Sequence, residues 1–293
     1  MKRVFLAAAF LVSALSISAQ NADSLTLVTA PRVELNLPKG AEGYRVERVN
    51  LFGSPQTISV IKYSPKRLAT SVIQPDELTR LSVSAAENGA LFGVNAGYWD
   101  VRINKPSTFL KLDGKPISVT ADFEKERVDG VVCIGKRKLV IDYCKAGEES
   151  AYAAKYDNIL ASGPVLIDEG KSVDHESYTK NMVDTAGGKP VGAFYTYIQR
   201  HPRTAAGTDK KGNVYLIVVD GRSKGNAEGV TIAELTKVCE WLGLRDAINL
   251  DGGASSSMWS AKEGTVSYPC RNKKFDHAGE RKVSSVLVVK SKK

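Results

Sequence analysis

The chain has 293 residues, 43% of them hydrophobic and 25% charged, with a formal charge of +9. The basic excess fits an ordinary basic domain or a surface that favours anionic glycans. It carries no zinc-finger spacing, Arg-rich helix or basic run interleaved with aromatics, which excludes nucleic acid as an expected partner.

The first 19 residues have the layout of an export signal. Lys2 and Arg3 are basic, Val4 to Leu15 is uncharged, and Ile17-Ser18-Ala19 offers a small-residue cleavage site before Gln20. That run falls short of the roughly 20 apolar residues a membrane-spanning helix needs, and no later stretch reaches that length. A secreted or periplasmic protein of about 274 residues with charge +7 is therefore expected. Residues 20–43 form an irregular arm in this reading, and residues 44–293 a single large domain.

Strand patterns begin at Val46, Val49 and Leu51 and continue through Ile58 to Tyr63, with Ser54-Pro55 as the turn between them. Asp76 is placed to cap a helix running through Leu78, Leu81 and Ala85 to Asn88-Gly89. The apolar run Leu91 to Val94 leads into Asn95-Ala96-Gly97-Tyr98-Trp99-Asp100. Short strands follow over residues 109–142, turning at Asp113-Gly114. Another strand pattern, Val165-Leu166-Ile167, comes after Ser162-Gly163-Pro164 and ends at the turn Asp168-Glu169-Gly170. Residues 171–200 have little periodicity and are expected to be a long irregular insertion at the rim of a site.

The last third is clearer. Val214 to Val219 is an apolar strand ending in Asp220-Gly221-Arg222. Thr231 and Glu234 have capping-box spacing for a helix carrying Ile232, Leu235, Val238 and Leu242 and stopping at Gly243. Ala247 to Leu250 feeds into Asp251-Gly252-Gly253-Ala254-Ser255-Ser256-Ser257, and Val283 to Val289 closes the chain. The expected fold class is α+β, a mixed central β-sheet with flanking helices.

Four cysteines, Cys133, Cys144, Cys239 and Cys270, permit two disulfides in three pairings. A cross-strand bridge between Cys133 and Cys144 would span a hairpin turning at Gly135-Lys136-Arg137-Lys138. Cys239 fits a buried thiol equally well. No spacing matches a metal site, so no cofactor is required, although Asp220 and Asp251 could share a divalent cation.

Polar turns at Asn95, Asp220 and Asp251 each follow an apolar strand, where a rigid sheet delivers side chains to a cleft. Around Asp251, two glycines bare the backbone and three hydroxyls follow, a donor-rich turn for an anionic oxygen. Arg203 precedes the small run Ala205-Ala206-Gly207 and is suited to a phosphate or carboxylate. His175, His201 and His277 are scattered, and Gly-x-Ser-x-Gly is absent, so a serine-hydrolase triad is not indicated.

Five segments in order carry a resemblance: Asn95 to Asp100, Ser162-Gly163-Pro164, Pro202-Arg203-Thr204-Ala205-Ala206-Gly207, Asp220-Gly221-Arg222, and Asn249 to Ser256. Together they resemble the phosphodiester glycosidase family, the domain type of the uncovering enzyme and of bacterial exported proteins. Ala96 and Trp99 depart from the family's usual Asn-Gly-Gly-Tyr-Phe-Asp. The resemblance implies hydrolysis of a sugar-1-phosphodiester at the anomeric carbon, with a phosphorylated or anionic glycan as substrate. It implies catalytic roles for Asp251, Arg203, Asn95 and Asp220: Asp251 as base or nucleophile, Arg203 on the phosphate. Substrate contacts then fall to Tyr98, Ser162, Gly163, Thr204, Arg222, Gly252, Gly253, Ser255 and Ser256. Two other readings are a non-catalytic binder of anionic polysaccharide and a metal-assisted phosphodiesterase cutting at phosphorus.

Overall fold

The computed structural model describes residues 22–175, 184–186 and 189–292. The expected export signal lies outside the described residues. At the centre is an eight-stranded sheet in the order Val33–Glu34, Ala41–Leu51, Ser54–Tyr63, Val214–Val219, Arg203–Asp209, Leu244–Asn249, Val165–Asp168 and Lys171–Ser172. One five-stranded sheet comprises Lys115–Ser118, Leu110–Leu112, Asn158–Ser162, Gly130–Gly135 and Lys138–Tyr143. A second comprises Gly264–Thr265, Met258–Ser260, Phe92–Asn95, Val286–Ser291 and Leu68–Ile73.

Alternation along the strands explains why the central sheet is apolar on both faces. Leu216 and Val218 point into the core shared with Phe92, Val94, Val132, Leu160 and Leu287 of the smaller sheets. Their neighbours Ile217 and Val219 point the other way, against Ile232, Leu235 and Val238 of the helix Ile232–Trp241. That helix begins with the expected capping box between Thr231 and Glu234. Residue 243, a glycine at φ +75°, follows its end.

The central sheet is antiparallel at every pairing among the described residues, where the sequence pattern suggested a mixed sheet. A strand–helix–strand crossover does run from Val214–Val219 through Ile232–Trp241 to Leu244–Asn249. The strand Arg203–Asp209 lies between these two and pairs with both, so they never become parallel neighbours. The arm carries order of its own: residues 22–29 are helical, Leu27 is buried, and Val33–Glu34 pairs with Tyr44 and Arg45.

Local departures have local causes. The helix expected from Asp76 begins only at Leu81, because Thr79–Arg80 is drawn into pairing with Lys282–Val283. The first hairpin turns at Phe52 and Gly53, both at positive φ, while Ser54 and Pro55 already pair within the strand. Inside the expected irregular insertion, Asp184–Ala186 pairs with Lys189–Val191 and a helix spans Ala193–Ile198. Its first two residues, Lys171–Ser172, form the edge strand of the central sheet, and residues 176–183, 187 and 188 lie outside the described residues.

All four cysteines are free thiols. The hairpin around Lys136-Arg137 forms as expected, but its register sets Cys133 opposite Val140, and the Cys144 N–H donates to Asp129. The two cysteines are therefore not cross-strand partners. Cys239 is fully buried in the helix, and burial pushes its thiol up to about 12. Among the described residues no helix is long and apolar enough to cross a membrane.

Candidate active site

Strand ends converge on the Asp251 turn, and Asn95 joins them. Its Nδ2 donates to the Asp251 carbonyl at 2.6 Å; its Oδ1 accepts from Thr204 Oγ1 at 2.7 Å and from the Ser257 amide at 3.1 Å. Main-chain bonds complete the junction: Asp251 N to Ala96 O, Leu250 N to Thr204 O, and Gly253 N to Pro202 O. Asn95 and Thr204 are buried and spent on each other, so both shape the site from beneath.

A second ring stands on Tyr98. Its hydroxyl donates to the Gly163 carbonyl at 2.6 Å, and Asn249 Nδ2 donates to both Tyr98 Oη and Gly163 O at 2.8 Å. Ser162 Oγ donates to Asn249 O, so Ser162 and Gly163 act as framework rather than as free ligands. The Arg127 guanidinium stacks 4.0 Å from the centre of the Tyr98 ring. Glu124, at 0% exposure, holds Arg127 through both Nε and Nη2 and also accepts from Ser107.

Several charged groups act on Asp251. Burial raises its carboxyl to about 6, against the pull of the Ser255 hydroxyl and of Arg127 and Arg281, with Glu124 pushing the same way as burial. Ser255 and Ser256 both keep buried hydroxyls that make no regular hydrogen bond among the described residues. Arg281 lies 4.5 Å over the Trp99 ring. Glu280 is consumed by Ser82 and Ser257. Of the carboxyls Glu124, Glu280, Asp220 and Asp251, only Asp251 is half-buried and, among the described residues, makes no ion pair or regular hydrogen bond.

Asp220 stands apart from that group. Its Oδ1 accepts from the Tyr268 amide at 2.9 Å, while Oδ2 is buried with no partner among the described residues. Burial raises it to about 7, with Arg45 and Glu47 as its charged neighbours, a set that shares no member with that of Asp251. Among the described residues no three His, Cys, Asp or Glu side chains cluster as a metal site.

Arg203 has a different setting from the one its sequence context suggests. Its Nε donates to Val230 O, and its Nη2 donates to Thr196 O and Gln199 O at the end of the helix Ala193–Ile198. The group is buried, and desolvation lowers it to about 10. Arg222 is exposed. Its Nη2 lies 3.4 Å from His201 Nδ1 and would be 3.1 Å from a Cβ built on Gly253. Gly253 itself sits at φ +61°, a conformation that favours glycine. Burial, then Arg203 and Arg222, lower His201 to about 4.

Glu124, Arg127, His201 and Arg281 were not among the site residues expected from sequence. For the first pair the only local signal is the i,i+3 spacing of opposite charges, common on any surface. His201 directly precedes the Pro202 to Gly207 segment, but nothing in the local sequence signals that both Arg203 and Arg222 act on it.

The phosphodiester glycosidase family profile matches residues 88–290, more than half of the chain. The chain belongs to the phosphodiester glycosidase family. It is 32% identical over 139 residues to the N-acetylglucosamine-1-phosphodiester alpha-N-acetylglucosaminidase of Bos taurus, a match covering 44% of this chain and 24% of the bovine protein. It thus spans about a quarter of that relative's length. The fold is similar to the catalytic domain of the zebrafish enzyme of that name, a structure described as auto-inhibited by its pro-peptide. The TM-score is 0.66 at 19% identity, covering 94% of this chain and 93% of that one. A hypothetical protein from Synechocystis is also similar, with TM-score 0.66 at 13% identity over 90% of this chain and 64% of that one. Within the family domain fall Asn95, Arg127, Arg203, Arg222 and Asp251 alike.

Proposed function

We propose that this phosphodiester glycosidase hydrolyses a sugar-1-phosphodiester at the anomeric carbon, releasing the sugar and a phosphomonoester. The observation that carries the reading is Asp251: a half-buried residue whose carboxyl is acted on by Arg127, Arg281 and Ser255, in a turn with two buried hydroxyls that make no regular hydrogen bond among the described residues. The C1–O bond breaks with its electron pair leaving on the phosphate oxygen. Water supplies hydroxide to C1, and its remaining proton passes to Asp251 or solvent. The leaving phosphate is already a weak base, so a strong general acid matters less than in ordinary glycoside hydrolysis. What the step needs is a carboxylate near the developing oxocarbenium ion and cations near the developing phosphate charge. Asp251 supplies the first; arginines around the turn supply the second.

The sequence start and the basic charge support an exported enzyme, secreted or periplasmic, acting on a phosphorylated or anionic glycan. Hydrolysis of a synthetic sugar-1-phosphodiester in oxygen-18 water tests the reaction. Label in the sugar is expected. Label in the phosphate would mean cleavage at phosphorus, and glycan binding without turnover would mean a binder.

A further inference from the structure

The geometry points to a phosphate subsite formed by Arg222, which His201 orients beside the Gly252–Gly253 turn, with Arg203 as a nearby structural cation. This rests on the glycosidase reading and specifies which residues hold the leaving group.

Three observations carry it. Arg203 and Arg222 have no carboxylate within ion-pair distance among the described residues, although the other ion pairs of the protein are well formed. Both cations act on the His201 imidazole and on each other, and an anion beside Arg222 would relieve that repulsion. Arg203 has Nε and Nη2 already committed to three carbonyl oxygens in a buried setting. Arg222 is exposed, and among the described residues its guanidinium has only the long contact to His201.

The hydrogen-bond direction fixes what His201 can offer. A guanidinium only donates, so His201 Nδ1 accepts from Arg222, and the proton of the neutral ring is on Nε2. The two ring nitrogens face apart, so His201 serves as the acceptor that orients the Arg222 guanidinium, whose other N–H groups are left for an anion. The main chain of His201 is held in place: it pairs with Val230, and a Cβ on Gly229 (φ +88°) would come within 2.6 Å of the His201 carbonyl. Gly253 in turn leaves room for the Arg222 guanidinium.

This subsite favours the transition state. A phosphodiester carries one negative charge, whereas the departing phosphomonoester develops a second as the C1–O bond breaks. The Arg222 guanidinium therefore binds the transition state better than the ground state. The charged groups facing His201 are Arg203 and Arg222.

The test is an NMR titration of the histidine side chains with and without inorganic phosphate, in the wild type and in Arg222→Gln. Phosphate is expected to move His201 from about 4 toward the ordinary histidine value of about 6.5, and Arg222→Gln to abolish the response. On a sugar-1-phosphodiester the same variant should lose about 100-fold in kcat with KM changed far less. A His201 that ignores phosphate, or responds equally in Arg222→Gln, overturns the subsite even if the diester is hydrolysed. A phosphate response that needs Arg222, with no hydrolysis of any diester, keeps the subsite and overturns the glycosidase reading.

Discussion

Asn95 Nδ2 donates to the backbone carbonyl of Asp251 at 2.6 Å, tying together residues 156 positions apart. The same amide accepts from Thr204 and Ser257, so one buried side chain sets the height and tilt of the Asp251 turn. Asn95→Ala leaves the Asp251 carbonyl, the Thr204 hydroxyl and the Ser257 amide short of partners. A stability loss of about 3 kcal/mol is expected, read from urea unfolding. Turnover of the folded fraction should fall as well, because the turn loses its anchor; unchanged kcat in a destabilised protein would separate Asn95 from positioning.

Asp251→Asn should keep the fold and lose activity by about 1000-fold, the scale of a missing catalytic carboxylate. In the wild type the carboxyl, raised to about 6 by burial, must be ionised to act as base or nucleophile. Activity should therefore rise with pH through about 6, and the residual activity of Asp251→Asn should lack that limb. A pH–rate profile of kcat/KM for both proteins reads this directly. An unchanged limb in the variant would assign it to another group.

Asp220 gives a stability prediction of opposite sense to that of a salt-bridged carboxylate. Its folded value is raised to about 7, from 3.8, by burial. Between those values the folded protein holds a proton that the unfolded chain has released, so stability falls as pH rises from about 4 to about 7. Asp220→Asn removes that slope and keeps an acceptor for the Tyr268 amide. The variant should gain on the wild type by a few kcal/mol between pH 5 and pH 8. Parallel stability-versus-pH curves for the two proteins would contradict the assignment.

How much of this was legible depended on whether the partners were near in sequence. The Asp251 turn stood out because paired glycines and three hydroxyls after an apolar strand are unusual in themselves. The helix at Thr231 was legible because a capping box is a four-residue signal. Glu124 and Arg127 were not, since their significance comes from Tyr98, on which Arg127 packs while Glu124 holds Arg127. The antiparallel character of the sheet was hidden for a similar reason. A helix between two strands suggests a parallel pair, and nothing local announces that Arg203–Asp209 separates them. Asp76 has the right residue type for a cap, but strand pairing of Thr79 and Arg80 with distant Lys282 and Val283 won.

Arg203 is the sharpest case, because its residue type was legible and its partners were not. Carbonyl acceptors have no sequence signature, and Thr196, Gln199 and Val230 take three of its donor bonds. Arg203→Lys keeps the charge but replaces a planar fork with a single ammonium that cannot serve carbonyls in the same directions. The expected result is a loss of about 2 kcal/mol in stability from unsatisfied buried carbonyls, seen as a lower urea midpoint. Below the melting range, kcat/KM should fall far less than the roughly 100-fold expected for removing a transition-state donor such as Arg222. The comparison separates the two arginines: Arg203→Lys should lower stability first, Arg222→Gln turnover first. A stable Arg203→Lys protein with turnover reduced as severely as in Arg222→Gln would place Arg203 on the substrate phosphate.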